Sequence, residues 1–310
     1  MKRFLKKMCG LFLLFVGVHV LLICGVPADH NQYLREYNHK VELLERTPSP
    51  RLIFMGGSNT AFALDSKTIG DSLHCRVVNF GLHGGIGSRY PVEDALQYVR
   101  MGDLVVFQIE YDAFFEETCN KETMPKLMTA TGWRNVGQLT MSEWEAVLAG
   151  LPMLALSHLK RLLLYPVRHS FDTPQPERGQ FSYVASGFND YGDEVSHWYC
   201  DGRAYHPTAK RETRPVRQDF VRWLADVLKA YEGKGARVLM MPPACTSSCL
   251  GSSYSDAIGL ALASIGYPYQ LSPEMMTVPD SLAFNTGYHL NRDGVKLVTA
   301  RMIGFLNKFL

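Results

Sequence analysis

Short apolar runs alternate with amphipathic stretches through the first third of the chain. Residues 51–55 (RLIFM), 76–80 (RVVNF) and 103–109 (DLVVFQI) are each followed by glycine or polar residues. Runs this short, apolar at consecutive rather than alternate positions, fit strands buried on both faces. Between them, residues 61–73 and 91–100 fit helices, the second with Pro91 in its first turn. Strand, helix, strand, helix, strand predicts a parallel sheet joined by right-handed crossovers.

The alternation then stops. Residues 113–212 hold one long helical run, 143–165, and a stretch rich in Pro, Gly, Tyr and Asp. So long a break inside a compact domain predicts an insertion that flanks the functional edge of the sheet. His158, Lys160 and Arg161 interrupt the apolar part of the helical run. That favours a helix packed on the sheet or lying on a bilayer surface over a membrane span. Periodicity returns with a helix over 214–231, a fourth strand over 236–241 stopped by Pro242-Pro243, a helix over 253–265, a short fifth strand over 267–271 and a closing helix over 294–309. The sheet is therefore expected to have about five strands, with the large insertion after the third.

The N-terminus has a different pattern. Lys2, Arg3, Lys6 and Lys7 precede an apolar run over residues 8–26 whose clearly polar member is His19. At 1.5 Å per residue the run reaches about 28 Å, close to the hydrocarbon thickness of a bilayer. The expected organisation is an anchor (1–28), a polar connector (29–50) and an α/β body (51–310). The leading cations place the N-terminus inside and the body outside a cytoplasmic membrane, as a single-pass protein. Val26-Pro27-Ala28 leaves a cleaved signal peptide open as the alternative. A lipoprotein cysteine at Cys24 fits less well behind the bulky Ile23.

Charge sharpens this picture. The net charge is +2, from 32 basic and 30 acidic residues, and four of the basic ones belong to the leading cluster. The remaining body is near neutral and lacks the basic footprint of a nucleic-acid binder. Of seven cysteines, Cys9 and Cys24 lie in the apolar run, leaving Cys75, Cys119, Cys200, Cys245 and Cys249. Export permits disulfides, and Cys245 with Cys249 closes the smallest loop; unpaired buried thiols are the other reading. No His pair stands at zinc-ligand spacing near them, and no Gly-x-Gly-x-x-Gly opens a helix. No metal or cofactor is expected.

Functional residues of parallel sheets collect beyond the carboxyl ends of the strands. One such end reads Gly56-Gly57-Ser58-Asn59-Thr60, placing a serine on a tight turn. A helix N-cap serine would look the same. A second reads Asn79-Phe80-Gly81-Leu82-His83-Gly84-Gly85, where glycines let the backbone approach a ligand. A third, Asn285-Thr286-Gly287-Tyr288-His289-Leu290-Asn291, puts a histidine before the last helix, with Asn291 as its cap.

Together these three segments resemble the blocks of the SGNH (GDSL-like) hydrolase family, over residues 50–112 and 213–310. The anchor and the Tyr-His-Leu-Asn ending are similar to its membrane-anchored, envelope-modifying branch, which includes relatives of the teichoic-acid D-alanyl transfer protein and of polysaccharide O-acetylation proteins. The resemblance implies a flavodoxin-like α/β/α sandwich. It also implies Ser58 as nucleophile, His289 as general base and the Gly84 N–H as an oxyanion donor, acting on acylated glycan or a small ester. Envelope-assembly proteins are the partners it suggests.

Two positions depart from the family pattern. Where an oxyanion-holding asparagine is expected, the chain has Glu110, followed by Tyr111 and Asp112; Asn59 is the substitute donor. Where the acidic triad member is expected, three residues before His289, stands Thr286, with Asn285 one residue earlier. An amide orients an imidazole but does not stabilise the imidazolium as a carboxylate does. Asp280 and Asp293 are further candidates to assist His289. His83 is a candidate substrate contact, and Trp198, Tyr199, Tyr205 and His206 suit a sugar-stacking surface. A catalytically impaired glycan- or partner-binding protein is the alternative function.

Overall fold

A computed structural model describes residues 1–177, 179–201, 205 and 211–310. Four parallel strands, β1 (Arg51–Gly56), β2 (Arg76–Asn79), β3 (Leu104–Gln108) and β4 (Arg237–Met240), form one sheet in the order β2-β1-β3-β4. The register pairs Phe54 with Asn79 on one side and with Val106 on the other. Successive strand residues alternate between two apolar clusters, which explains the unbroken hydrophobic runs. Leu52, Phe54 and Val106 face one cluster, with Ile69 of α4 (Ser66–Leu73) and Val295, Val298 and Met302 of α11 (Arg292–Leu306). Ile53, Met55 and Phe107 face the other, with α2 (Glu36–Arg46), α5 (Arg89–Leu96) and α8 (Gln218–Gly233) supplying Tyr37, Tyr90 and Leu224. The molecule is thus mixed α/β with helices on both faces of a parallel sheet.

Three elements differ from the sequence expectation. The stretch over 267–271 adds only a single parallel bridge, Met240 to Tyr269, because Pro268 has no N–H to donate. The sheet therefore has four strands. The helix expected over 61–73 is two, α3 (Ser58–Ala61) and α4, since the Asp65 side chain accepts from the Thr68 amide and starts a new helix. The helix expected over 253–265 is α10 (Asp256–Ser264), capped by Ser255, and an unexpected short helix, α9 (Ser247–Ser253), precedes it.

Outside the main sheet lie two small pairings. Strand β5 (Cys245–Thr246) runs parallel to β6 (Thr277–Val278), and β7 (Ala283–Thr286) runs antiparallel to β8 (His289–Leu290). The β7–β8 turn sets His289 against Phe62 at the end of α3, and Asn291 then caps α11 by accepting from the Asp293 and Gly294 amides. The region 113–212 contributes α6 (Met124–Ala130) and α7 (Met141–Arg168), the latter opened by a Thr140–Glu143 capping box. Its later part folds back into the body. Asp193 is buried and accepts from the Ser66 hydroxyl at 2.6 Å and the Asn79 amide at 2.7 Å. Buried Lys40 of α2 donates to the carbonyls of Asn79 and Gly192, tying the connector, β2 and this segment together.

The first 28 residues hold α1 (Lys2–Gly25), apolar and with no buried residue. By length and composition, α1 and α7 are each able to cross a membrane.

Candidate functional site

Strand β1 ends in Gly56-Gly57, and the chain turns at once into α3, presenting Ser58 half-buried at the carboxyl edge. The turn needs small residues. A Cβ on Gly56 would fall 2.7 Å from the Gln108 carbonyl oxygen, and one on Gly81 would fall 2.8 Å from the Gly57 carbonyl oxygen. Both lie well inside van der Waals contact. Asn79 holds the neighbouring turn by accepting from the Gly81 amide and donating to the Thr60 carbonyl.

The Ser58 hydroxyl donates to Glu110 Oε1 at 3.2 Å, and the Asn59 amide donates to the same oxygen at 3.1 Å. Glu110 follows β3 directly, so the parallel β1–β3 pairing brings the two turns side by side. Its carboxylate sits in a cradle of glycines. A Cβ on Gly57 would lie 2.5 Å from Oε1, and one on Gly84 would lie 2.4 Å from Oε2. An apolar cavity opens beside it, lined by Met55, Gly57, Gly84, Val92, Phe107 and Ile109. Burial raises the Glu110 pKa above the ordinary carboxylate value, opposed in part by the Asn59 and Ser58 hydrogen bonds. The Glu110 carboxylate therefore points at Ser58 and takes up the Asn59 N–H.

His289 is buried and stacks on Phe62, the residue that caps α3, with ring centroids 4.1 Å apart. Its Nδ1 lies 2.7 Å from Asn285 Oδ1, while Asn285 Nδ2 donates to the Tyr183 hydroxyl at 3.2 Å. That orientation of the amide makes Nδ1 the protonated nitrogen and leaves the Nε2 lone pair free. Nε2 hydrogen-bonds to no described residue. Burial, with His197 and His83 nearby, pushes the His289 pKa down to about 3, so the ring is neutral at physiological pH. Asp280 and Asp293 are engaged elsewhere, with the Ser248 amide and with Lys296. Asn285 is the group that holds this imidazole.

The other expected residues have plainer roles. Asn59 is buried; its side chain accepts from the Gly57 amide and donates to the Gln108 carbonyl, leaving only its backbone N–H towards the site. His83 Nδ1 accepts from the Gly85 amide, and burial lowers its pKa to about 4. It holds the Gly84 turn. The Gly84 N–H itself hydrogen-bonds to no described residue. Of the aromatic group, Trp198 packs against the core and Tyr199 is exposed under Arg292, while His206 lies outside the described residues. Cys245 and Cys249 carry buried free thiols, and Cys9, Cys24, Cys75 and Cys119 are free at more exposed positions. Among the described residues, no three His, Cys, Asp or Glu side chains gather as metal ligands would.

Sequence reasoning missed three contributors from the region 113–212. Tyr183 contacts Asn285, Asp193 secures the Asn79 turn, and His197, whose Nδ1 is paired with Glu194, donates from Nε2 to the Leu290 carbonyl at 2.9 Å. Their only signal was the density of polar residues in Asn189-Asp190-Tyr191-Gly192-Asp193-Glu194. No protein-family model matches the chain, and no curated protein or solved structure matches it.

Proposed function

We propose that this chain is a membrane-tethered serine esterase or O-acyltransferase of the SGNH type, acting on acyl esters of an envelope glycan. The observation that carries the reading is the half-buried Ser58 hydroxyl on a strand-to-helix turn, bonded to a carboxylate, with His289 of β8 stacked on Phe62 at the far end of that short helix. The sheet order and the helices on both faces support a flavodoxin-like sandwich with an insertion over 113–212. The apolar run of α1, which follows the cations in its first two turns, supports a tether with the body outside the cytoplasmic membrane.

In this reading the first proton acceptor is Glu110. A carboxylate raised by burial is a stronger base than an imidazole held near 3, and it already accepts from Ser58. Ser58 Oγ attacks the acyl carbon as its proton passes to Glu110 Oε1. The Asn59 N–H then faces a neutral acid and, with the Gly84 N–H, is released towards the tetrahedral oxyanion. Glu110 returns the proton to the leaving alkoxide. Water or a glycan hydroxyl accepts the acyl group in the second half, with the same residue as base. Neutral His289 offers Nε2 as an acceptor to the incoming hydroxyl.

A second reading rests on the same carboxylate. An ionised Glu110 in the N–H cradle excludes an oxyanion and leaves a protein that binds an acylated glycan or an envelope partner without turning it over. A fluorophosphonate probe separates the two. Covalent labelling at Ser58, abolished by Ser58→Ala, is the expected result; well-folded protein that stays unlabelled supports the binding role.

A further inference from the structure

One side of α7 is used by the protein. Val147 and Leu154 are buried, and Gly150 lets the helix approach Lys121 and Pro125 so closely that a Cβ would lie 2.0 Å from the Lys121 carbonyl oxygen. Further along, His158 Nδ1 bonds the Leu22 carbonyl at 3.0 Å and Arg161 donates to the Pro27 carbonyl at 2.7 Å. Leu22 carries one of the last four carbonyls of α1, which have no partner within that helix. Beyond α7, Thr173 donates to both carboxylate oxygens of Asp29, at 2.9 and 2.7 Å. The outer end of α1 is thus stitched to α7 and its following loop. His19, Leu22, Ile23 and Val26 are its less exposed positions, so the contact is confined to that end.

The other side of α7 has no such partner. Leu148, Leu156, Leu163 and Val167 recur at helical spacing and are 58, 64, 69 and 78% exposed. A stripe of this kind along a 28-residue helix is a patch that soluble surfaces avoid. It is continuous with α1, whose residues from Phe4 to Val18 are all exposed. Lys160 and Arg168 are exposed beside it, with stems long enough to lie along the apolar stripe while their charges reach lipid phosphates.

We propose that this stripe of α7 lies in the outer surface of the bilayer that α1 enters, as a second membrane contact that sets the body's orientation to the lipid. The inference rests on the tether reading above, and its test separates the two. The full chain is reconstituted into vesicles of phosphatidylcholine and phosphatidylglycerol containing a phosphatidylcholine with a diazirine in its acyl chain. After photolysis, lipid adducts are mapped by peptide mass spectrometry, with Leu260, 73% exposed on α10, as the reference. The expected result is adducts on Leu148, Leu156, Leu163 and Val167 as well as on α1. In the variant carrying Leu156→Glu and Leu163→Glu, both at exposed sites, α7 adducts are expected to fall roughly tenfold or more while those on α1 persist. Adducts on α1 with α7 no higher than Leu260 overturn the inference and leave the tether standing. Adducts all round α7, including Leu154 and Ala155, overturn it in favour of a span. Adducts on neither helix overturn both.

Discussion

Replacing Glu110 with Gln tests the site at its most unusual point. The amide has the shape of the carboxylate and keeps an oxygen for the Asn59 N–H, but it takes no proton from Ser58. If Glu110 is the base, turnover of a short-chain nitrophenyl ester by Glu110→Gln should fall by about 10²- to 10⁴-fold, or about 3 to 5 kcal/mol of activation free energy. Stability should move the other way. The folded pKa of Glu110 is raised above its unfolded value, so its favourable contribution is complete below the unfolded pKa and is lost as pH rises through the folded one. Each unit of that displacement corresponds to about 1.4 kcal/mol. Glu110→Gln should therefore equal the wild type at acid pH and exceed it near neutrality, as urea denaturation at a series of pH values reads directly. A variant that keeps its esterase rate, or reacts faster with fluorophosphonate, would refute the base assignment and show the carboxylate to be an obstruction.

Other expectations follow from the same contacts. Gly84→Ala forces a methyl against Glu110 Oε2; it should cost about 1–3 kcal/mol in urea denaturation, and the pairing with Glu110→Ala should recover most of that, whereas additive costs would count against the contact. Asn285→Asp places a charge beside His289 Nδ1 and should lift its pKa from about 3, seen as an imidazole NMR resonance that begins to titrate; an unmoved resonance would remove Asn285 from the site. Burial lowers Lys40 from 10.5 to about 8, so between those values the unfolded chain holds the extra proton and stability should rise with pH. The difference between wild type and Lys40→Met should show that slope, and a flat difference would contradict the buried ammonium.

The central sheet was legible because strands covered on both faces have nowhere to place polar residues, so 51–55, 76–80 and 103–109 read as plain apolar words. The same signal misled at 267–271, where one missing proline N–H outweighs a run of suitable side chains. The meeting of Ser58 and Glu110 was half legible. A parallel pairing puts both at one edge, but whether the carboxylate turned towards the serine depended on the glycines opposite it. Tyr183, Asp193 and His197 left no periodic signal. Asp193 bonds Ser66 across 127 positions, and a contact of that span leaves no periodicity to find.

The Lys40 bridge limits how this chain is able to be trimmed. Its ammonium rests on one carbonyl from the sheet and one from Gly192, whose φ of 88° and closeness to the Asn79 oxygen both call for glycine. Excising 113–212 as though it were an appendage would strip the cation of half its ligands and leave the Ser66 hydroxyl and the Asn79 amide without their carboxylate. A minimal soluble version should therefore begin after the apolar N-terminal helix and keep everything downstream, with the outward leucines of α7 exchanged for polar residues.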